Sequence, residues 1–155
     1  AKLYTRKSGE LEEVKEENKM FDGSKGYFAG CGGLFGTLYD YDRFTTMLYH
    51  GGILDGNRIL KKETIDLMTT PRQITSEEAV PGGPWGLGFM CFEKPELAGF
   101  AMKSGSFGWS GAYGTHMYVD PASKISVTMM VGREDIGGAG SFGSREVERF
   151  VSLYT

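Results

Sequence analysis

The stretch Ser106-Phe107-Gly108-Trp109-Ser110-Gly111-Ala112-Tyr113-Gly114-Thr115 decides how this 155-residue chain is read. Glycines at 105, 108, 111 and 114 strip side chains from a segment that leads into a strand pattern, Thr115-His116-Met117-Tyr118-Val119. Another molecule can therefore lie directly against the backbone there. Asp120-Pro121-Ala122-Ser123 has the composition of a tight turn, with Pro121 preset for its second position. Beyond it Ile125, Val127, Met129 and Val131 alternate with Ser126, Thr128 and Met130, the period of a half-buried return strand.

The order Trp-Ser-Gly-Ala-Tyr-Gly-Thr, four strand residues, Asp-Pro and a second apolar strand resembles the third signature of the penicillin-recognising serine hydrolases. That superfamily holds class C β-lactamases, D-alanyl-D-alanine carboxypeptidases and related esterases, and its signature is Lys/His-Thr/Ser-Gly on the strand lining the site. Trp109-Ser110-Gly111 resembles it with Trp in first place, as in some esterase-like members. Lys103-Ser104-Gly105 also satisfies the pattern, but Trp109-Ser110-Gly111 keeps the family's usual interval to Asp120-Pro121. Three further segments resemble the family in the same order. They are Gly30-Cys31-Gly32-Gly33-Leu34-Phe35-Gly36-Thr37, a helix, Gly51-Gly52, hairpin and helix ending Met68-Thr69-Thr70-Pro71, and Trp85-Gly86-Leu87-Gly88-Phe89.

The resemblance covers roughly residues 26 to 154 and implies an α+β, β-lactamase-like fold, an antiparallel sheet flanked by helices. Residues 1 to 155 are expected to form one domain, the C-terminal portion of such a hydrolase. In the family the residue after the third signature donates a backbone N–H to the oxyanion hole, which implies that role for Ala112. Trp109, Ser110, Gly111 and Tyr113 are the implied substrate-binding residues, Ser110 offering its hydroxyl to a substrate carboxylate or carbonyl. Trp109 in place of a cation favours an ester or amide with an apolar acyl portion over an anionic one. The family's chemistry needs a serine with a lysine three residues on, and a tyrosine base, because positions i and i+3 share a helix face. Neither Ser-x-x-Lys nor Tyr-x-Asn occurs in the chain. The nucleophile is therefore expected in a missing N-terminal segment, and the chain alone is expected to be inactive. No cofactor or metal is implied; the partner is a small-molecule ester or amide bound by the full-length protein. The competing reading is a non-catalytic domain using Trp85, Trp109 and Tyr113 as an aromatic platform for a sugar or peptide. A third is a structural or regulatory relative that kept the fold and lost the nucleophile.

Composition narrows the classes. A net charge of −3 with mixed signs offers no basic patch for nucleic acid or an acidic membrane. Twenty-four glycines lie between periodic apolar segments and so indicate turns rather than low complexity. Cys31 and Cys91 have no metal spacing and are expected to be buried free thiols. No run approaches the roughly twenty apolar residues of a membrane helix, and no signal peptide is evident. The glycines of residues 26 to 36 lack the Lys-Ser/Thr and preceding strand of nucleotide loops.

Local signals place the remaining elements. Lys2 to Arg6 and Leu11 to Val14 suggest a hairpin, with the charged run Glu12 to Lys19 solvated. Thr37 with Asp40 resembles a capping box opening a helix over residues 39 to 49, ended by Gly51-Gly52. His50 is expected to face solvent at its end. Asp55-Gly56 predicts a hairpin, residues 61 to 69 a helix stopped by Pro71, and residues 72 to 84 a polar loop. Trp85 to Phe92 and Phe100 to Lys103 are expected strands. After Val131 the chain leaves the sheet at Gly132-Arg133-Glu134-Asp135, and residues 136 to 143 are irregular. Ser144 is expected to cap a last helix, Arg145 to Leu153, with Val147, Phe150, Val151 and Tyr154 facing the sheet.

Overall fold

A computed structural model describes residues 2–14, 30, 32, 34–72, 80–138 and 140–155. Its centre is a four-stranded antiparallel sheet, β5 (Met90–Phe92), β6 (Ser106–Gly111), β7 (Thr115–Asp120) and β8 (Ile125–Met130), in that spatial order. The last three form a meander. Gly111 pairs with Thr115, and Asp120 with Ile125, so the two predicted turns fix the register. Asp120 closes the second turn by accepting the Ala122 and Ser123 amides at 3.0 Å on Oδ1, while Oδ2 accepts the Lys103 amide at 3.2 Å. A buried carboxylate is thereby matched by three donors.

Period-2 alternation gives the sheet two different faces. Phe107, Met117 and Val119 pack with Phe89 against α1 (Leu38–Tyr49) and α2 (Lys62–Thr69), through Met47, Leu48 and Ile65. Tyr118, Met90 and Phe92 on the opposite face pack with Phe100 and Met102. The C-terminal helix α3 (Phe142–Ser152) reaches that second face through Glu148, which meets His116. Helices thus flank an antiparallel sheet, the α+β arrangement expected.

The hairpins and α1 follow their local chemistry. β1 (Tyr4–Lys7) pairs with β2 (Glu10–Glu13), and the Tyr4 amide donates to the Gly132 carbonyl at 2.9 Å, docking this hairpin beside the end of β8. Thr37 caps α1 by accepting the Asp40 amide at 3.1 Å. The reciprocal arm differs from a capping box, because the Thr37 hydroxyl donates to the shorter Asp40 carboxylate at 2.7 Å. Exposed His50 is the C-cap residue, and Gly51 and Gly52 turn the chain out with positive φ. Between β3 (Ile53–Leu54) and β4 (Asn57–Arg58), Asp55 and Gly56 both take positive φ, as a two-residue hairpin loop requires.

Four expectations are corrected. Only Met90–Phe92 of the Trp85 to Phe92 run is a strand. Gly86 lies so tightly on the Met68 carbonyl that a side chain would collide with it, and Gly88 has φ +86°, so the chain bends there. Phe100 to Lys103 is not a strand: Pro95–Ala98 forms a 3-10 turn, its end donates the Phe100 amide to the Pro95 carbonyl at 3.0 Å, and Phe100 and Met102 are pinned in the core. The cap of α3 is Ser141, which accepts the Ser144 amide at 3.3 Å, and not Ser144 itself. Finally, the residues α3 buries are Ser144 and Glu148, while Phe150 and Tyr154 are 61% and 76% exposed. Cys31, the charged run from residue 15 to its end at residue 19, most of the glycine-rich segment and residues 73 to 79 lie outside the described residues.

Cys91 is a free thiol buried in β5, donating to the Thr69 carbonyl at 3.2 Å. Burial raises its pKa from 9.0 to about 11, opposed in part by a backbone hydrogen bond from Gly86. A raised acid pKa means less thiolate at a given pH. In a Cys31→Ser background, alkylation of Cys91 by iodoacetamide at pH 8 is expected to run about a hundredfold below an ordinary thiol. Labelling at the ordinary rate would show the thiol to be accessible and ionised.

Candidate active-site strand

Trp109, Ser110 and Gly111 occupy the end of β6, and Ala112, Tyr113 and Gly114 the turn that follows. Lys103-Ser104-Gly105 lies in the loop before β6. β5 pairs with β6 only as far as Gly108, opposite Met90, whereas β7 continues to Gly111. Trp109, Ser110 and Gly111 therefore have a neighbour on one side only, and the other edge of the strand is free of sheet partners among the described residues. Unpaired strand edges are where an extended backbone can be added.

Trp109 is 37% exposed and packs on half-buried Trp85, ring centroids 4.5 Å apart at 60°. The tilt is not that of two stacked rings forming one flat platform. Ala112 is exposed, and its amide has no hydrogen-bond acceptor among the described residues. Tyr113 is half-buried, and its carbonyl accepts the Arg133 amide at 2.9 Å. The Arg133 side chain is turned away into a pair with Asp135, whose carboxyl it holds below the usual range.

The turn is supported from behind by Gly137-Gly138, which lie in the irregular segment that sequence reasoning left without a role. The Gly138 amide donates to the Gly111 carbonyl at 3.1 Å. Gly137 sits so close to Ala112 that any β-carbon there would collide with the Ala112 carbonyl and Cα. The requirement at Gly137 is space rather than backbone conformation, and no local sequence signal announces a contact made 25 positions away.

Ser110 brings two further residues that sequence reasoning did not assign. Its Oγ is 2.7 Å from Nδ1 of His116, the residue directly across the β6–β7 ladder. Nε2 of the same ring is 3.0 Å from Glu148 Oε1 on α3. That second contact is at ion-pair distance but off the axis of an in-line hydrogen bond, so among the described residues no aligned bond satisfies either carboxylate oxygen. Ser110, His116 and Glu148 are 7%, 4% and 1% exposed. The Tyr118 ring stands 5.6 Å from that of His116, and its phenol is pushed up by burial and then by the Glu148 and Asp120 carboxylates. The signal that could have found His116 was the three-residue turn, which pairs it with Ser110 on one face. Among the described residues no cluster of metal-ligating side chains exists, and no helix is long and apolar enough to cross a membrane.

Comparison with known proteins places this arrangement. Protein Rv1367c of Mycobacterium tuberculosis (strain ATCC 25618 / H37Rv) is 33% identical over 112 residues, covering 64% of this chain and 28% of that protein. Among solved structures, EstCE1, described as a hydrolase with promiscuous acyltransferase activity, superposes with a TM-score of 0.74 at 21% identity, over 100% of this chain and 43% of its own. A penicillin-binding protein homolog from Caulobacter crescentus gives 0.54 at 26% identity, over 71% and 30%. The chain thus spans under half the length of each of these relatives. The profile of the Beta-lactamase family matches residues 1–143, and with the meander, the flanking helices and the signature strand in the expected order, the chain belongs to that family.

Proposed function

We propose that this chain supplies the signature strand and one oxyanion-hole amide of a β-lactamase-like serine hydrolase, which cleaves an ester or amide through an acyl-enzyme. The nucleophile comes from a segment outside residues 1 to 155, and the chain is inactive without it. One observation supports the reading most: an exposed Ala112 amide, with no acceptor among the described residues, directly follows a strand end that β5 leaves uncovered. An amide so placed can donate to the oxygen that becomes negative when an acyl carbon turns tetrahedral. Trp109 beside it offers apolar surface and no cation, which fits an ester with an apolar acyl group better than an anionic β-lactam.

The test is labelling of the full-length protein by a fluorophosphonate probe, with turnover of p-nitrophenyl butyrate and of a chromogenic cephalosporin. Covalent labelling and faster ester than lactam turnover are expected, with none from residues 1 to 155 alone. Absence of both labelling and turnover in the full-length protein sinks the hydrolase reading. The exposed ring of Trp109 keeps the binding-domain alternative alive. Saturable quenching of Trp109 by a sugar or peptide in an unlabelled, inactive protein would favour it.

A further inference from the structure

The chain Ser110–His116–Glu148 is used by neither the oxyanion role nor the apolar acyl contact, yet it links three elements through polar side chains: β6, β7 and α3. Glu148 stands out. Its side chain is fully enclosed, neither oxygen has an aligned hydrogen-bond partner, and the helix spends a buried position on it while leaving Phe150 and Tyr154 outside. A buried carboxylate whose one polar neighbour among the described residues is an imidazole is a poor way to fix a helix to a sheet, since apolar residues of similar volume do that at no desolvation cost.

The order of these three groups sets a direction for protons. With Glu148 ionised, its oxygens have no hydrogen to give, and the ring nitrogen 3.0 Å from Oε1, Nε2, is the one that carries the hydrogen. A ring with its one hydrogen on Nε2 presents a lone pair at Nδ1, and the Ser110 hydroxyl 2.7 Å away is the donor to it. The Ser110 proton is then committed inward.

We propose that His116 and Glu148 are positioning residues which turn the lone pairs of Ser110 Oγ, and not its proton, toward the uncovered end of β6. The site consequently selects a ligand bearing an N–H or O–H donor, such as a primary or secondary amide, over a carboxylate anion. This deepens the proposed function and rests on it only for where the ligand lies. It reverses the expectation that Ser110 donates to a substrate carboxylate.

The tautomer is read by long-range 1H–15N correlation of the imidazoles in the 15N-labelled full-length protein, with His50→Gln to assign this chain's two histidines. Nε2 of His116 is expected protonated and Nδ1 unprotonated. Glu148→Gln, which keeps an acceptor carbonyl, retains that tautomer, and Glu148→Met mixes the two. A ring protonated on Nδ1, alone or together with Nε2, overturns the proposal. Selectivity is read by tryptophan fluorescence with hexanamide and hexanoate as probes. Hexanamide is expected to bind on the order of tenfold more tightly, and Ser110→Ala to bring the ratio near one. Equal or tighter binding of hexanoate, or binding of neither probe, overturns the selectivity. Neither readout depends on turnover, so a protein that fails to hydrolyse any ester would defeat the proposed function without touching these results.

Discussion

A His116→Ala protein is expected to lose about 3–5 kcal/mol of folding stability, seen as a fall in the urea midpoint with the slope unchanged. The substitution leaves Glu148 with its side chain enclosed and its one neighbour of opposite character removed. Desolvating a carboxylate costs several kcal/mol, and nothing else among the described residues donates to it. The pair as a whole need not be stabilising, because its attraction roughly offsets the cost of taking both groups out of water. The companion His116→Leu/Glu148→Leu protein is therefore expected to recover most of the loss. Such a cycle separates the penalty of an orphaned charge from the worth of the pair. A single substitution costing under about 1 kcal/mol, or a double one as unstable as the single, would mean that Glu148 is not the charged, enclosed partner described.

The same pair shows where reading from sequence succeeds and where it stops. Turn chemistry is local, so Gly111 to Gly114 and Asp120 to Ser123 set the β6–β7–β8 meander from residues adjacent in the chain, and Thr37 with Asp40 set the start of α1. Hydropathy is a statistical guide to which face is buried, and it points α3 the wrong way. Val147, Phe150, Val151 and Tyr154 are the apolar set, yet Glu148 is inside because its partner is an imidazole fixed by a strand register. The strand expected over Trp85 to Phe92 is lost for a different reason: Gly86 is held against α2, a contact its neighbours do not encode. At the candidate site the strand that carries Trp109-Ser110-Gly111 and the turn after it were legible in the sequence. What surrounds it was not, because Gly137, His116 and Glu148 reach it through tertiary approach and not through spacing.

Gly137→Ala is expected to lower acyl-transfer activity of the full-length protein about a hundredfold, the cost of misplacing one oxyanion donor. A β-carbon at Gly137 would collide with the carbonyl and Cα of Ala112, so one of the two backbones must move. Ala112 lies in an exposed turn, and the peptide unit that carries its amide also carries the Gly111 carbonyl, held by the Gly138 amide at 3.1 Å, so a shift of either backbone moves that amide. On the proposed oxyanion role, displacement of Ala112 carries its amide away from the tetrahedral oxygen while β6 and β7 stay paired through Gly111 and Thr115. The loss should accordingly fall on kcat, with the urea midpoint lowered by far less than in His116→Ala. Gly36→Ala is the matching control, since that glycine has open space where a β-carbon would be added and no positive φ. A Gly137→Ala protein whose kcat stays within about threefold, while its Ala112 amide resonance has moved, would show that this amide does not face the developing charge. The oxyanion donor would then have to be sought elsewhere on the uncovered edge of β6.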